Sequence, residues 1–160
     1  MISPCTLLTS MPRSLVCSYC WSRLVPGGGG GCGGCGLVRY CGEECREGGR
    51  EEHQEECKVM ENAGAGKMML SDQLRLVTRI WLKVRKNEED HVEQEGSLRK
   101  SWTELMDHKE ELLSDSEELL LAQYNALGSV LRKVDMPPMD KFVEIYGKIL
   151  TNSFSLRSDR

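Results

Sequence analysis

The sequence predicts two unlike parts: a small cysteine-held module at the front and an all-α region behind it, with no substantial sheet in either. Three observations carry this expectation. Seven of the eight cysteines lie between Cys17 and Cys57. The same stretch holds a run of five glycines, Gly27 to Gly31, and few large apolar residues. Beyond Leu70 the pattern changes, and apolar residues recur at helical spacing.

A chain of 160 residues has room for one ordinary domain, or for a small module with a helical piece attached. No stretch approaches the roughly 18 consecutive apolar residues of a membrane helix. The opening MISPCTLLTSMPRS has neither a charged leading region nor a long apolar core, which argues against a secretory signal. The formal charge of −4 is too mild to name a partner, but a general nucleic-acid binder would be basic. The expected organisation is a lead-in over 1–16, a finger over 17–57, a hinge over 58–69, a helical region over 70–156 and a tail over 157–160.

Within the finger the possible ligands run C-x2-C, x11, C-x2-C, x5, C-x3-C, x7, H-x3-C, from Cys17 to Cys57. A C-x2-C pair forms a tight knuckle that aims two sulfurs at one point. H-x3-C sets His53 and Cys57 one turn apart on one helix face, and C-x3-C at Cys41 and Cys45 fits the first turn of a helix beginning near Gly42. Four pairs supply eight ligands, enough for two closed tetrahedral zinc sites. Disulfides are the alternative chemistry, as is a single zinc with spare thiols, but repeated C-x2-C pairs with a histidine at helical spacing favour zinc. Cys5 stands apart as an ordinary thiol.

Energetics point the same way. The sizeable apolar residues of the finger are Tyr19, Trp21, Leu24, Val25, Leu37, Val38 and Tyr40. Burying them, at roughly 1.5–3 kcal/mol each, falls short of ordering about forty residues at roughly 1 kcal/mol or more each. A structural zinc contributes about 10–16 kcal/mol of apparent binding energy, which becomes folding energy. Metal is therefore expected to fold this segment. Gly27 to Gly31 read as a flexible tip between ligand pairs, since a phosphate-cradling loop would need a strand before it and a helix after it.

This ladder, with its Tyr40–Cys41 step, resembles the MYND zinc finger, and the HIT-type finger has a closely similar one. The MYND resemblance implies interleaved sites, with Cys17, Cys20, Cys41 and Cys45 on one zinc and Cys32, Cys35, His53 and Cys57 on the other. It also implies protein partners, with proline-rich peptides bound in a shallow groove. Arg46 and Arg50 stand where that family has Gln and Trp, so the groove's aromatic wall is missing, and Gly48–Gly49 weakens the helix carrying His53. The expectation is a structural finger with weak or altered peptide affinity.

Nucleic acid is disfavoured as a partner. Arg23, Arg39, Arg46 and Arg50 face seven glutamates between Glu43 and Glu56, and two zinc ions with seven thiolates leave a further formal −3. No membrane association is expected.

The helical region opens with Leu70, Leu74, Val77, Trp81 and Val84 on one stripe. Arg75, Arg79 and Lys83 form a basic row on the other side, expected to be a solvated face or to meet an acidic partner. NEEDHVEQEG is expected as a loop, with His91 solvated. SWTE at 101–104 is a capping box opening a second helix toward Leu113, with His108 inside it. A cap at Ser114 or Ser116 starts a third helix, with Leu120, Tyr124, Leu127 and Leu131 on its stripe, broken by Met136-Pro137-Pro138. Asp140 caps a last helix carrying Phe142, Ile145, Tyr146 and Ile149.

A finger followed by RLVTRIWLKV, a helical insert and KILTNSFSL resembles the SET-and-MYND protein-lysine methyltransferases. That resemblance implies a chain truncated before a catalytic SET core. S-adenosylmethionine would then be a cofactor only of a full-length, SET-containing form, and this polypeptide alone is expected to be inactive. The competing functions are a zinc-dependent interaction or regulatory module, a partial lysine methyltransferase, and a nucleic-acid-binding finger. Thiolate ligands place the expected home in the cytoplasm, the nucleus or both.

Overall fold

The computed structural model describes residues 15–90 and 105–152, the side chains of 67–69 and 87–90 excepted. Cys5, His91, the capping box at 101–104 and the 157–160 tail lie outside these residues. The described elements are β1 (Gly30–Gly31), β2 (Arg39–Tyr40), α1 (Glu43–Gly48), α2 (Arg50–Asn62), α3 (Asp72–Asp90), α4 (Lys109–Asp115), α5 (Glu117–Gly128) and α6 (Met139–Asn152). The expected fold class holds: a small finger followed by helices, with a single two-stranded sheet among the described residues. No described helix is long and apolar enough to cross a membrane.

The sheet itself was not foreseen. β1 and β2 pair antiparallel with Gly30 opposite Tyr40 and Gly31 opposite Arg39, so part of the glycine run is ladder rather than free tip. Gly29 has φ of +74°, and a Cβ there would meet the Tyr40 carbonyl oxygen at 2.6 Å. Only glycine reaches this turn without strain. Arg39 closes it by donating from Nη2 to the carbonyls of Gly28 and Gly29, both at 3.1 Å. Gly48–Gly49 also has a packing reason. The Tyr19 ring lies against Gly48 and the Tyr40 ring against Gly49, where side chains would collide, and the helix breaks there into α1 and α2.

The expected hinge at 58–69 is instead helical. α2 runs on to Asn62, and a 3-10 helix follows over Gly64–Met69. The reason is apolar burial: Val59 and Met60 of α2 enter the main core beside Leu74, Val77, Phe142 and Ile145. The core of the helical layer is α3 against α6. The α3 stripe is buried as expected, apart from the half-buried Val84, and so are Phe142, Ile145, Tyr146 and Ile149 of α6. Tyr124 of α5 packs edge-on to Phe142, ring centroids 5.2 Å apart, and donates its hydroxyl to the Pro137 carbonyl at 3.0 Å.

Four helix boundaries differ from expectation. α3 continues through Asn87 to Asp90, the start of the expected loop. α4 begins only at Lys109, and His108, expected inside that helix, is its N-cap with φ of 47°. Asp107 Oδ1 accepts the Lys109 N–H at 3.1 Å, which offers the backbone an alternative to continuing the helix upstream. α5 ends at Gly128, well before the proline pair, and the chain tightens there: Val130 N–H closes a three-residue turn on the Leu127 carbonyl, which Leu131 N–H shares. α6 begins at Met139, with Phe142 N–H donating to the Pro138 carbonyl at 2.8 Å, so Asp140, expected as its cap, lies in its first turn.

Candidate metal centre

The finger brings its eight candidate ligands together as two sets of four. Cys17, Cys20, Cys41 and Cys45 form one, and Cys32, Cys35, His53 and Cys57 the other; within each, all donor atoms lie within 4.8 Å of one another. The sets are interleaved along the chain, first pair with third and second with fourth. Sequence spacing alone did not impose this order; the β1–β2 ladder does. It folds the second knuckle back so that Cys32 N–H donates to the Val38 carbonyl at 3.0 Å, and it delivers Cys41 beside Cys17.

The two knuckles share one backbone shape. In the first, Trp21 N–H donates to the Cys17 carbonyl at 3.1 Å; in the second, Gly36 N–H donates to the Cys32 carbonyl at 3.0 Å. The residue after each second cysteine is left-handed, Trp21 at φ 65° and Gly36 at φ 73°. Backbone N–H groups then point at sulfur: Cys41 N–H at Cys17 Sγ and Leu37 N–H at Cys35 Sγ, each 3.4 Å. Such donors stabilise thiolate and so suit metal ligation.

Sulfur spacing separates metal from disulfide. Cys20–Cys41, Cys41–Cys45 and Cys32–Cys57 stand 3.6, 3.4 and 3.5 Å apart. A disulfide requires about 2.05 Å, whereas two sulfurs on a tetrahedral zinc at about 2.3 Å lie roughly 3.8 Å apart. All seven described cysteines are free. The donor sets therefore fit zinc, the first as a site of four cysteines and the second as a site of three cysteines and one histidine.

Their electrostatics ask for a cation. Hydrogen bonds from Ser22 hold the Cys20 thiol down at about 6, while Cys45 is pushed up to about 12, chiefly by its Cys41 neighbour. In the second set burial works against ionising Cys32, but the Cys35 backbone N–H and His53 outweigh it and hold the thiol at about 6. Cys57 is pushed up to about 12 by burial and by the Cys32 sulfur. In the first set burial opposes the Cys17 charge as well, but backbone N–H groups of Cys20, Tyr19 and Cys41 outweigh it and hold that thiol down. The thiolates that form first in each set oppose the remaining ones, so a full set of thiolates needs a positive ion between them.

His53 was expected as a ligand; its surroundings were not. Nε2 faces the ligand set, 3.3 Å from Cys35 Sγ, and Nδ1 faces Glu56 Oε2 at 3.2 Å. Glu56 is buried and is gripped in turn by Arg75 of α3. Arg75 Nε donates to Oε1, and Nη2 donates to Oε2 at 3.1 Å. Arg79 Nε lies 3.6 Å from Oε2. Burial opposes the Glu56 charge, but His53 and the two arginines overcome it and hold the carboxyl down at about 2. Above it on α2, Glu52 pairs with Arg79 at 3.8 Å and Lys83 at 3.4 Å.

The basic row of α3 is thus neither a solvated face nor a docking surface for a separate partner. It meets the acidic face of α2 within the same chain. A sequence signal for this existed: Glu52 and Glu56 repeat at the same four-residue pitch as Arg75, Arg79 and Lys83. His108, outside the ligand sets, pairs through Nδ1 with Glu111 at 2.8 Å.

A model of the MYND finger family matches residues 17–57, the span of the ligand ladder. Residues 17–57 are a MYND-type zinc finger with two Cys/His metal-binding sets. No curated protein matches the chain.

Proposed function

We propose that this finger holds one zinc on Cys17, Cys20, Cys41 and Cys45 and a second on Cys32, Cys35, His53 and Cys57, and that the module so folded serves protein–protein recognition or regulation. The convergence of two interleaved donor sets, each within 4.8 Å, is the observation that carries this reading. Four protein donors per set make both sites closed, so zinc would supply folding energy there rather than an open coordination position for catalysis. MYND fingers generally mediate protein interactions. The finger's excess of glutamates over arginines supports a protein partner over phosphate.

Metal analysis of gently purified protein tests the first half: two zinc ions per chain are expected, and none would contradict it. Peptide titration tests the second half. Arg46 reaches across to Gly30, so its guanidinium lies against β1, and Arg50 stands exposed at the start of α2. Without an aromatic wall at these positions, proline-rich peptides should bind weakly, and a low-micromolar complex would refute the altered-groove reading. Salt-sensitive DNA binding would revive the nucleic-acid alternative.

The finer reading places finger and helices in a SET-and-MYND lysine methyltransferase, in the cytoplasm or nucleus. It rests on the resemblance of RLVTRIWLKV and KILTNSFSL, in their order behind the finger, to that family. S-adenosylmethionine would serve only a form with a SET core, and a lysine-methylation assay on such a form tests it.

A further inference from the structure

The contact that joins the two parts of the molecule passes through one carboxylate. Glu56 lies one turn beyond His53 on α2, so both side chains share a face, and the carboxylate meets the Nδ1 edge of the imidazole at 3.2 Å. The opposite edge, Nε2, is turned to Cys35 Sγ at 3.3 Å. On its far side Glu56 takes two hydrogen bonds from the Arg75 guanidinium, and Arg75 belongs to α3 of the helical layer. Each member is enclosed: Glu56 is 1% exposed, His53 7% and Arg75 9%.

We infer that Glu56 is a positioning residue for the second metal site. It holds His53 as the tautomer with its proton on Nδ1, leaving Nε2 free to ligate, and anchors that ligand to α3 through Arg75. The physical basis is general. A ligating imidazole donates its other N–H to a carboxylate or carbonyl, which fixes ring orientation and raises ligand basicity. A lone buried carboxylate beside the site would be costly, and the two guanidinium hydrogen bonds compensate its charge. The first set contains no histidine, two of its cysteines, Cys20 and Cys41, are exposed, and among the described residues no side chain of the helical layer ties to it in this way. Retention of the second ion therefore depends on an arginine nineteen residues beyond Glu56, whereas retention of the first does not.

This inference rests on the two-zinc reading and is tested so that the two can fail separately. Zinc-loaded intact chain is mixed with excess chromogenic chelator and the two release phases are timed. Nitrogen-15 NMR of the His53 ring reads the tautomer. In the native protein, Nδ1 should carry a slowly exchanging proton and Nε2 the metal. Glu56→Leu should speed the second-site phase about 10- to 100-fold and leave the first-site phase unchanged. Glu56→Gln keeps an acceptor for Nδ1–H but loses the charge that pairs with Arg75, so its second-site release should fall between native and Glu56→Leu. Glu52→Gln, on the same acidic face but away from His53, should change neither phase.

Equal acceleration of both sites in Glu56→Leu would reduce Glu56 to general packing and overturn the inference. So would unchanged second-site release. If Glu56→Leu does not fold, the native spectrum still decides: ligation through Nδ1 overturns the inference while leaving two bound zinc ions intact. A native chain without zinc overturns the metal reading itself.

Discussion

The two ligand sets of the finger are built from the same short pairs on the same stretch of chain, yet they occupy different surroundings. The first is held by the knuckle at Cys17 and the start of α1, with Cys20 and Cys41 exposed and a small cluster of Leu24, Val38 and Tyr40 beneath it. The second sits on α2, whose other residues enter the main core, and Cys35 itself packs there. One set ends at solvent and the other is backed by the helical layer. Ligand type and spacing, then, settle what binds, while the neighbours of the ligands settle what the binding is coupled to.

Breaking each site should reveal this difference at full size. Cys35→Ser should leave one zinc per chain and loosen α2 together with its contacts to α3. Cys41→Ser should also leave one zinc, but spare the α3–α6 layer. Metal content with far-ultraviolet circular dichroism distinguishes the two, because a structural zinc carries about 10–16 kcal/mol of apparent folding energy. Equal helix loss in both variants would remove the distinction.

A cut on the helical side tests the same comparison from the other direction. Phe142→Ala, in a fully buried residue against Tyr124 and Tyr146, should cost about 3–5 kcal/mol and lower the denaturation midpoint. Both zinc ions should remain. Arg75→Leu removes both guanidinium hydrogen bonds of the buried Glu56 carboxylate, leaving it Arg79 and His53. It should cost up to about 3–5 kcal/mol, but here the midpoint should respond to added zinc. Zinc dependence in the arginine variant and its absence in the phenylalanine variant would sharpen the assignment.

Much of this was legible in the sequence because the determinants are local. Pair spacing within a knuckle, His53 and Cys57 one turn apart, and the stripes of α3 and α6 all depend on residues a few positions from one another. What escaped depends on distant partners. The glycine ladder forms because Tyr40 and Arg39 return to it, and the expected hinge is helical because Val59 and Met60 find the core of α3 and α6. Arg75, Arg79 and Lys83 have the pattern of a wet helix face, and only the fold brings Glu52 and Glu56 to meet them. The start of α4 was misplaced because a local side-chain bond from Asp107 competes with helix propensity there.

Smaller effects refine the contrast. Gly29→Ala forces a side chain into a left-handed turn against the Tyr40 carbonyl and should cost about 1–3 kcal/mol. That loss should weaken first-site retention, since the turn precedes the ladder that delivers Cys41. Glu52→Gln removes a partly exposed pair and should change stability by no more than about 1 kcal/mol, read as a shift in denaturant midpoint.

The most direct measurement removes the ions one at a time from the intact chain and follows amide hydrogen exchange on each species separated by native mass spectrometry. The first loss should expose amides around Cys17–Cys20 and α1 while α2 and α3 stay protected; the second should release α2 and weaken α3 beside Arg75. Protection of α3 that collapses with the first ion, or a native chain that carries no metal and keeps its finger protected, would contradict the account.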